Sequence, residues 1–326
     1  MRTPSRRLAA VSALALAATG VAFTATTASA GLVTHCDGHA EDVAVPNDLV
    51  VPDDATCELD GVSIDGEVRV GAGSDLVITD STISGAVIVS DDGFFDAVDS
   101  SVGADVSNED AYGVYLEGAS VGGGYIGEGA EDAESFVYSF DSTVDDGVLA
   151  SVGDVYIEAS QVAGDVDTSG AAYTDVVDST LTGTLTVADN EFGSAVCASE
   201  VDGDVSVTGS GEIQIGSGGE LMVCDDVNYF GGNVTISDNV GGVDVTGNIV
   251  RGDLTGEGND PAPTGDDNRV RGEAGGQFAE LEPASPSVSL QSESTEVSPS
   301  EQAQKDREDR RDAALEDAAE AGPANL

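Results

Sequence analysis

The sequence lacks tryptophan altogether and is poor in basic and aromatic residues, and each shortage excludes or disfavours a class of function. Aromatic residues make up only 5% of the chain, so rings that stack against sugars are scarce. Nucleic acids and anionic membranes need positive charge on a partner, so neither is expected to bind here. Polysaccharide lyases, which need Lys or Arg beside the reacting carbon, are disfavoured for the same reason. Between residues 31 and 279 there is no lysine, and the only arginines are Arg69, Arg251, Arg269 and Arg271.

Acidic residues dominate the charge of the chain. None of the 62 Asp and Glu residues precedes position 31, and only eight basic residues follow it, which gives that part a formal charge of −54. Such a chain attracts cations, and two interpretations are open: a hydrated surface that keeps the protein dispersed, or Ca²⁺ binding by aspartates at repeated turns. The first is favoured, because the Gly-Gly-x-Gly-x-Asp nonapeptide of calcium-loaded β-rolls does not occur. We therefore expect no cofactor and keep Ca²⁺ as a hypothesis.

The N-terminus carries the pattern of a secretory signal peptide over residues 1–30. Arg2, Arg6 and Arg7 precede an apolar run from Leu8 to about Phe23. Ala28-Ser29-Ala30 then matches the small-residue cleavage site. No later stretch approaches the ~20 apolar residues that a membrane-spanning helix needs. The sequence therefore predicts a secreted, extracellular protein without a membrane span.

One short phrase recurs along the chain at nearly constant spacing. An aliphatic residue is followed two positions later by a small residue, mostly Gly, and two positions after that by another apolar residue. The steps between repeats are 19, 19, 19, 23, 18, 19 and 20 residues, a period typical of stacked repeats rather than of a globular enzyme core. The first residue of the phrase stands at Ile64, Ile83, Val102, Val121, Val144, Val162, Leu181 and Val201.

Within each repeat, apolar residues alternate with polar ones, as Val68 and Val70 or Val87 and Val89 show. This alternation predicts short strands. One repeat is too small to bury its aliphatic face alone, so the repeats must stack. We therefore predict an all-β fold, a parallel β-helix with coils of about 20 residues. Right-handed coiling is favoured because the hexapeptide repeat of left-handed helices is missing. A β-sandwich is the rival fold, but it does not require so constant a period.

Changes in composition divide the chain after the signal peptide into three parts. Residues 31–59 contain two cysteines and two prolines and are expected to form an N-terminal cap over the first strand edge. Residues 60–278 form the β-helix solenoid. Residues 279–326 are expected to be a disordered acidic tail, because Ser, Pro and Glu bury little apolar surface. Within this tail, residues 300–321 have helical charge spacing but no apolar stripe, which predicts a marginal, solvent-exposed helix.

Four cysteines in a secreted chain are expected to form disulfides. Cys36 and Cys57 are 21 residues apart, close to one period, and Cys197 and Cys224 are 27 apart, about one period plus an insertion. Of the three pairings that four cysteines allow, this spacing favours Cys36–Cys57 and Cys197–Cys224. Both would be structural, and a free nucleophilic cysteine is disfavoured.

No catalytic, cofactor-binding or metal-binding residue can be assigned from the sequence. His35 and His39 flank Cys36 and resemble metal ligands, but a disulfide at Cys36 would account for that segment. Recurrent asparagines are explained by stacked turn amides that bond to one another. Adjacent carboxylates that could form a hydrolase pair are too abundant to single one out; examples are Asp91 with Asp92, Asp145 with Asp146, and Asp225 with Asp226. The recurrent asparagines are Asn233, Asn239, Asn248, Asn259 and Asn268.

The last coils contain the segments Gly241–Asn248, Gly252–Leu254, Asn259–Gly265, Asn268–Val270 and Gly275–Gln277. These segments resemble the closing coils of secreted actinobacterial β-helix-type proteins of unassigned function. The resemblance covers roughly 40 residues and implies a fold and secretion, but no catalytic residue. In that family a cysteine commonly stands at each of two positions, which Gly256 and Phe278 occupy here, and the joint loss implies that the two positions pair.

Two functions follow from these observations. The favoured one is a non-catalytic, extracellular structural or surface-interaction protein, adhesin-like, with a cell-surface or extracellular matrix component as partner. The alternative is a carbohydrate-active β-helix enzyme that uses paired carboxylates, which predicts a shallow groove and at least one carboxyl group with a raised pKa.

Overall fold

Three parallel β-sheets run the length of the molecule and enclose one core. The structure, a computed structural model, describes residues 32–129, 135–219, 221–283 and 299–326. Each coil of about 19 residues contributes one strand to each sheet, and about twelve coils are stacked. The predicted parallel β-solenoid is thereby confirmed, whereas its right-handedness stays a prediction. The expected signal peptide lies outside the described residues.

The strands are numbered in chain order, and each sheet takes every third one, except that β35 follows β33 in the third sheet. Sheet A comprises β1 Val33–His35, β4 Asp48–Val51, β7 Val68–Val70, β10 Val87–Val89, β13 Val106–Glu109, β16 Tyr125–Glu128, β19 Val148–Ala150, β22 Val166–Ser169, β25 Leu185–Ala188, β28 Val205–Thr208, β31 Val234–Ser237 and β34 Leu254–Thr255. Sheet B comprises β2 Gly38–Glu41, β5 Thr56–Asp60, β8 Asp75–Thr79, β11 Phe94–Val98, β14 Gly113–Glu117, β17 Phe136–Phe140, β20 Asp154–Glu158, β23 Tyr173–Val177, β26 Gly193–Cys197, β29 Glu212–Gly216 and β32 Val243–Thr246. Sheet C comprises β3 Ala44–Val45, β6 Ser63–Ile64, β9 Thr82–Ile83, β12 Ser101–Val102, β15 Ser120–Val121, β18 Thr143–Val144, β21 Gln161–Val162, β24 Thr180–Leu181, β27 Glu200–Val201, β30 Tyr229–Phe230, β33 Ile249–Val250 and β35 Arg269–Val270.

The repeated aliphatic residues form ladders inside the solenoid. In sheet A, Val68 pairs with Val87 and Val87 with Val106, so equivalent side chains lie one above another. All three are fully buried. The conserved step between coils therefore translates into continuous apolar columns, which no single coil could bury alone.

The abundance of aspartate is partly a requirement of the corners. Asp80, Asp99, Asp141 and Asp178 directly follow four strands of sheet B, β8, β11, β17 and β23, with φ between 45° and 48°. Asp and Asn adopt this left-handed conformation more readily than other non-glycine residues. Stacking the coils therefore places aspartates in rows at the surface, whatever further role their charge has.

The core is closed at the N-terminal end by residues that were expected to form a separate cap. Residues 33–60 instead contribute β1 to β5, the first strands of all three sheets. The Cys36–Cys57 disulfide joins the segment between β1 and β2 to β5, and both cysteines are fully buried. The segment therefore belongs to the solenoid, because its apolar residues keep the register of the coils that follow.

The C-terminal helix, α1 Pro299–Ala321, differs from the exposed helix that the sequence predicts. It lies across the outer face of sheet B and contacts β2, β5 and β8. Ala314 and Ala318 are fully buried there, and Arg307 is almost fully buried. The prediction was wrong because arginine and alanine, rather than large apolar residues, form the contacting stripe. Residues 284–298 of the segment expected to be disordered lie outside the described residues.

Candidate functional site

The outer face of sheet B carries a group of charged and aromatic side chains that contact one another. Alternate residues of each strand point outward, so one residue per strand forms a column along the face. Two of these columns contain aspartates that form pairs on adjacent strands. The first contains Asp75 and Asp154, and the second contains Asp96 and Asp175.

The Asp75–Asp96 pair is occupied by arginines of α1. Arg310 Nε donates to Asp75 Oδ1 at 2.8 Å, and Arg307 Nε donates to Asp96 Oδ2 at 2.6 Å. Arg311 donates to the other oxygen of Asp96. The Asp96 side chain has no solvent exposure. Burial raises its pKa, against the lowering effect of Arg307 and Arg311.

Two tyrosines complete this occupied site. The guanidinium of Arg307 lies 3.6 Å from the ring centre of Tyr115, and that of Arg310 lies 4.8 Å from the ring centre of Tyr112. A cation above a partly desolvated aromatic ring gains about 1 to 2 kcal/mol. The outer face of sheet B therefore recognises guanidinium groups by combining a carboxylate with an aromatic ring.

The end of the chain is fastened to the first strand of the same sheet. His39 N–H donates to Gly322 O at 3.0 Å, and Ala324 N–H donates to His39 O at 2.7 Å. These bonds add a short parallel segment beside β2, whose edge would otherwise expose unpaired backbone groups. The covering of this edge, which the sequence assigned to residues 31–59, is thus supplied by the C-terminus.

The Asp154–Asp175 pair lies farther along the same face. Asp175 Oδ1 accepts the backbone N–H of Ala195 at 2.9 Å, and Tyr138 donates its hydroxyl to Asp154 Oδ2 at 3.3 Å. Tyr156 pairs with Asp175 across neighbouring strands and donates to Glu158 Oε2 at 2.9 Å. The pair is therefore bordered by tyrosines, as the Asp75–Asp96 pair is.

A disulfide-anchored loop and an aromatic stack flank this second pair. The ring of Tyr173 stacks on Phe192 with centroids 5.2 Å apart, and Phe192 is half exposed. Gln214 in β29 holds the backbone of the loop at Leu221 and Met222 by hydrogen bonds of 2.8 to 3.0 Å. The favoured Cys197–Cys224 pairing is confirmed and fastens the same loop to β26. Together these elements give the Asp154–Asp175 pair fixed surroundings.

Both carboxyl groups of the second pair have raised pKa values. Burial raises the pKa of Asp175 to about 7, assisted by the negative charge of Asp154 and opposed by the Ala195 N–H. Burial also raises the pKa of Asp154, opposed by the Tyr138 hydroxyl. Part of each side chain still reaches solvent. Near neutral pH, Asp175 therefore holds a proton in a large fraction of molecules.

We expect Asp175→Asn to stabilise the protein at pH 8 and to leave its stability unchanged at pH 4. The unfolded state releases the Asp175 proton at a lower pH than the folded state does. This carboxyl group therefore lowers the free energy of unfolding of the wild-type protein as pH rises from about 4 to about 7. Asn has nearly the same shape as Asp but does not ionise, so it removes this pH-dependent destabilisation. The free energy of unfolding at pH 8 should therefore rise by about 2 kcal/mol, allowing for partial solvent access to the side chain. Thermal unfolding at both pH values measures it. A variant that is less stable at pH 8 would contradict the prediction.

The adjacent aspartates that the sequence offers as hydrolase pairs do not lie in desolvated surroundings like those of Asp154 and Asp175. Asp91 and Asp92 are exposed at a corner, where Asp92 Oδ1 lies 3.5 Å from Arg310. The other four aspartates of these pairs are also exposed in turns. Sequence reasoning missed Asp154 and Asp175 because they are 21 residues apart and meet only through the stacking of coils.

A shallow depression of about 270 Å³ lies on the outside of sheet A, lined partly by Ile126, Leu149, Asp165 and Asp167. Thr184 donates its backbone N–H and its hydroxyl to Asp165 Oδ1, at 2.7 and 2.9 Å. These two bonds lower the pKa of Asp165. A carboxylate held ionised in this way is unsuited to donate a proton, so the depression is a weaker candidate than the Asp154–Asp175 pair.

Four of the five recurrent asparagines stack on one another across neighbouring coils. Asn239 Nδ2 donates to Asn259 Oδ1 at 2.8 Å, and Asn248 Nδ2 donates to Asn268 Oδ1 at 2.9 Å. The expected stacking of turn amides is thus confirmed, with two ladders of 20-residue period accounting for the apparent ten-residue spacing. Asn233 accepts the backbone N–H of Asp253 at 3.0 Å at a third corner.

No three His, Cys, Asp or Glu side chains converge as a metal site within residues 32–129, 135–219, 221–283 and 299–326. His35 and His39 flank the disulfide-bonded Cys36, and His39 binds the C-terminal segment through its backbone. Ca²⁺ binding by corner aspartates stays a prediction.

At the C-terminal end, Phe278 is buried and its ring lies beside Gly256. The two positions that the resemblance pairs are therefore neighbours, and an aromatic ring fills the space between them. Comparisons with known protein families, curated proteins and solved structures found no match. In the part of the chain that the structure describes, no helix is both long and apolar enough to cross a membrane.

Proposed function

We propose that this protein is a secreted, highly acidic, non-catalytic β-solenoid that acts as an extracellular structural or surface-interaction protein. Two disulfides support an oxidising compartment, and the N-terminal sequence pattern supports export. The stacked coils provide a stiff body, about 55 Å long if twelve coils rise by 4.8 Å each. Its partner is a component of a cell surface or of the extracellular matrix.

The observation that carries this proposal is the docking of α1 on sheet B. The chain's own helix is held by ion pairs, ring contacts and close packing of Ala314 and Ala318. A sheet face that holds one helix in this way is a working polypeptide-binding surface. Among the described residues, no ion pair or cation–ring contact of α1 involves Asp154 or Asp175 farther along this face, and this is where we place an external partner.

The proposal is tested with the purified, labelled chain comprising residues 31–326. We expect saturable binding to intact cells or extracellular material of the producing organism, weakening as salt rises above about 0.3 M because the surface is charged. A broad panel of glycans should show no new reducing ends or unsaturated products after incubation. Glycan turnover that follows enzyme concentration would overturn the non-catalytic proposal.

A carbohydrate-active enzyme is the second candidate, and the Asp154–Asp175 pair favours it. One carboxyl group with a pKa near 7 beside a second carboxyl is the arrangement that acid–base hydrolysis of a glycosidic bond uses. Tyr173 and Phe192 provide an exposed aromatic surface next to the pair. If the glycan panel reveals turnover, Asp175→Asn should reduce it by at least 100-fold.

A further inference from the structure

The Asp154–Asp175 pair is a translated copy of the Asp75–Asp96 pair. In both pairs the second aspartate follows the first by 21 residues, and the copies are 79 residues apart. Asp75 and Asp154 share one outward column of sheet B, and Asp96 and Asp175 share the other. Four strands, or about 19 Å, separate the copies. The two pairs therefore present carboxylates with the same spacing and direction.

One copy is filled by arginines, whereas the other has no cationic partner among the described residues. Asp75 and Asp96 bind three arginines of α1. Within the described ranges, no Lys, Arg or His side chain makes an ion pair with Asp154 or Asp175. In the described part of the chain they accept hydrogen bonds from the Tyr138 hydroxyl and the Ala195 N–H, neither of which supplies positive charge. Such desolvated carboxylates, lacking a cation, form a site that a cationic group would complete.

We propose that the Asp154–Asp175 pair is a second guanidinium-binding site, and that it takes an arginine-bearing helix of a partner protein. The inference rests on the proposed surface-interaction function and names the class of partner. The filled pair shows which spacing fits: Arg307 and Arg310, three residues apart on one helix face, reach carboxylates on adjacent strands. A partner helix with arginines at i and i+3 or i+4 matches this spacing.

The chemistry of the site favours arginine over lysine. The guanidinium group is planar, binds carboxylate oxygens in pairs and stacks on aromatic rings. Tyr156 precedes Asp175 in its column, whereas Tyr115 follows Asp96, so a ring borders each carboxylate on one side. The net charge of the chain also favours a basic partner, because it accelerates the encounter and repels acidic proteins.

The test uses the chain of residues 31–326 and a labelled alanine-rich helical peptide of 20 residues with three arginines spaced as Arg307, Arg310 and Arg311. Fluorescence anisotropy at 50 mM salt measures its Kd. We expect binding that Asp175→Asn and Asp154→Asn each weaken at least tenfold, since a buried charge contact is removed. Asp167→Asn, which removes one exposed carboxylate from sheet A, is the matched control and should change Kd less than twofold.

A second peptide, with each arginine replaced by neutral citrulline, should bind at least tenfold more weakly. Equal binding of the two peptides would overturn the inference, as would no binding at all. If Asp96→Asn rather than Asp175→Asn weakens binding, the peptide displaces α1 and the second site is refuted. If a neutral glycan binds instead and Asp175→Asn abolishes that binding, the site is a carbohydrate site. A cell-binding result that survives Asp175→Asn would remove this inference while leaving the proposed function intact.

Discussion

Replacing Arg307 and Arg311 together with glutamine is expected to release α1 from sheet B. Both arginines pair with Asp96, whose side chain has no solvent exposure, and removing the partners of a buried charge costs about 3 to 5 kcal/mol. That cost exceeds the stabilisation from burying Ala314 and Ala318. The helix should therefore dissociate from the sheet, and the Asp96 carboxylate should become hydrated. Most of the stability of a helix in a protein comes from its packing, so the released α1 should also lose helical structure.

Amide hydrogen exchange measures this release directly. Exchange of the α1 amides should accelerate by about 100-fold or more, and the His39 and Ala324 amides should lose protection as well, because the terminal segment depends on the helix. The uncovered β2 edge should make the variant prone to associate. The double variant Arg69→Gln with Lys305→Gln removes the same charge from exposed positions and should leave α1 protected. Unchanged protection in the Arg307 and Arg311 variant would refute a docking held by these ion pairs.

The docking of α1 also illustrates what sequence reasoning could not supply. The inward columns were predictable because Val68, Val87 and Val106 repeat the same residue type at a fixed step. Arg307 and Asp96 are 211 residues apart, and nothing periodic relates them. The stripe that docks consists of arginine and alanine, so a search for apolar periodicity does not detect it.

The candidate site was only partly predictable from the sequence, unlike the inward columns, which were predictable, and the docking of α1, which was not. The 21-residue spacing of Asp75 and Asp96 recurs at Asp154 and Asp175, and that signal is present in the sequence. It becomes meaningful only with the strand register, which decides which residues point outward. The longer step of 23 residues between Val121 and Val144 lies between the two pairs and disturbs the period there. A sequence that contains 62 acidic residues has many equally spaced acidic pairs. Only the structure distinguishes the desolvated pairs from the exposed ones.

Phe94 and Phe95 test the same register, because neighbouring residues of β11 lie on opposite faces of sheet B. Phe95 belongs to the central core, whereas Phe94 packs outside with Tyr115 and Phe136. Both phenylalanines are fully buried, so replacing either with alanine removes the same side chain from a packed environment. Phe95→Ala should cost about 4 kcal/mol, the usual cost of a buried Phe→Ala change in a core that relaxes only partly.

Phe94→Ala should cost less than half as much, because the outer cluster includes the partly exposed Tyr112, which can move into the space. The two variants also differ in where they act. Phe95→Ala should increase amide exchange in all three sheets of its own and neighbouring coils, since repeats are stabilised by their neighbours. Phe94→Ala should loosen α1, because Tyr112 contacts both Phe94 and Arg310. If both substitutions disturb the three sheets equally, the two rings share one core and the division between an aliphatic interior and an aromatic binding face is wrong.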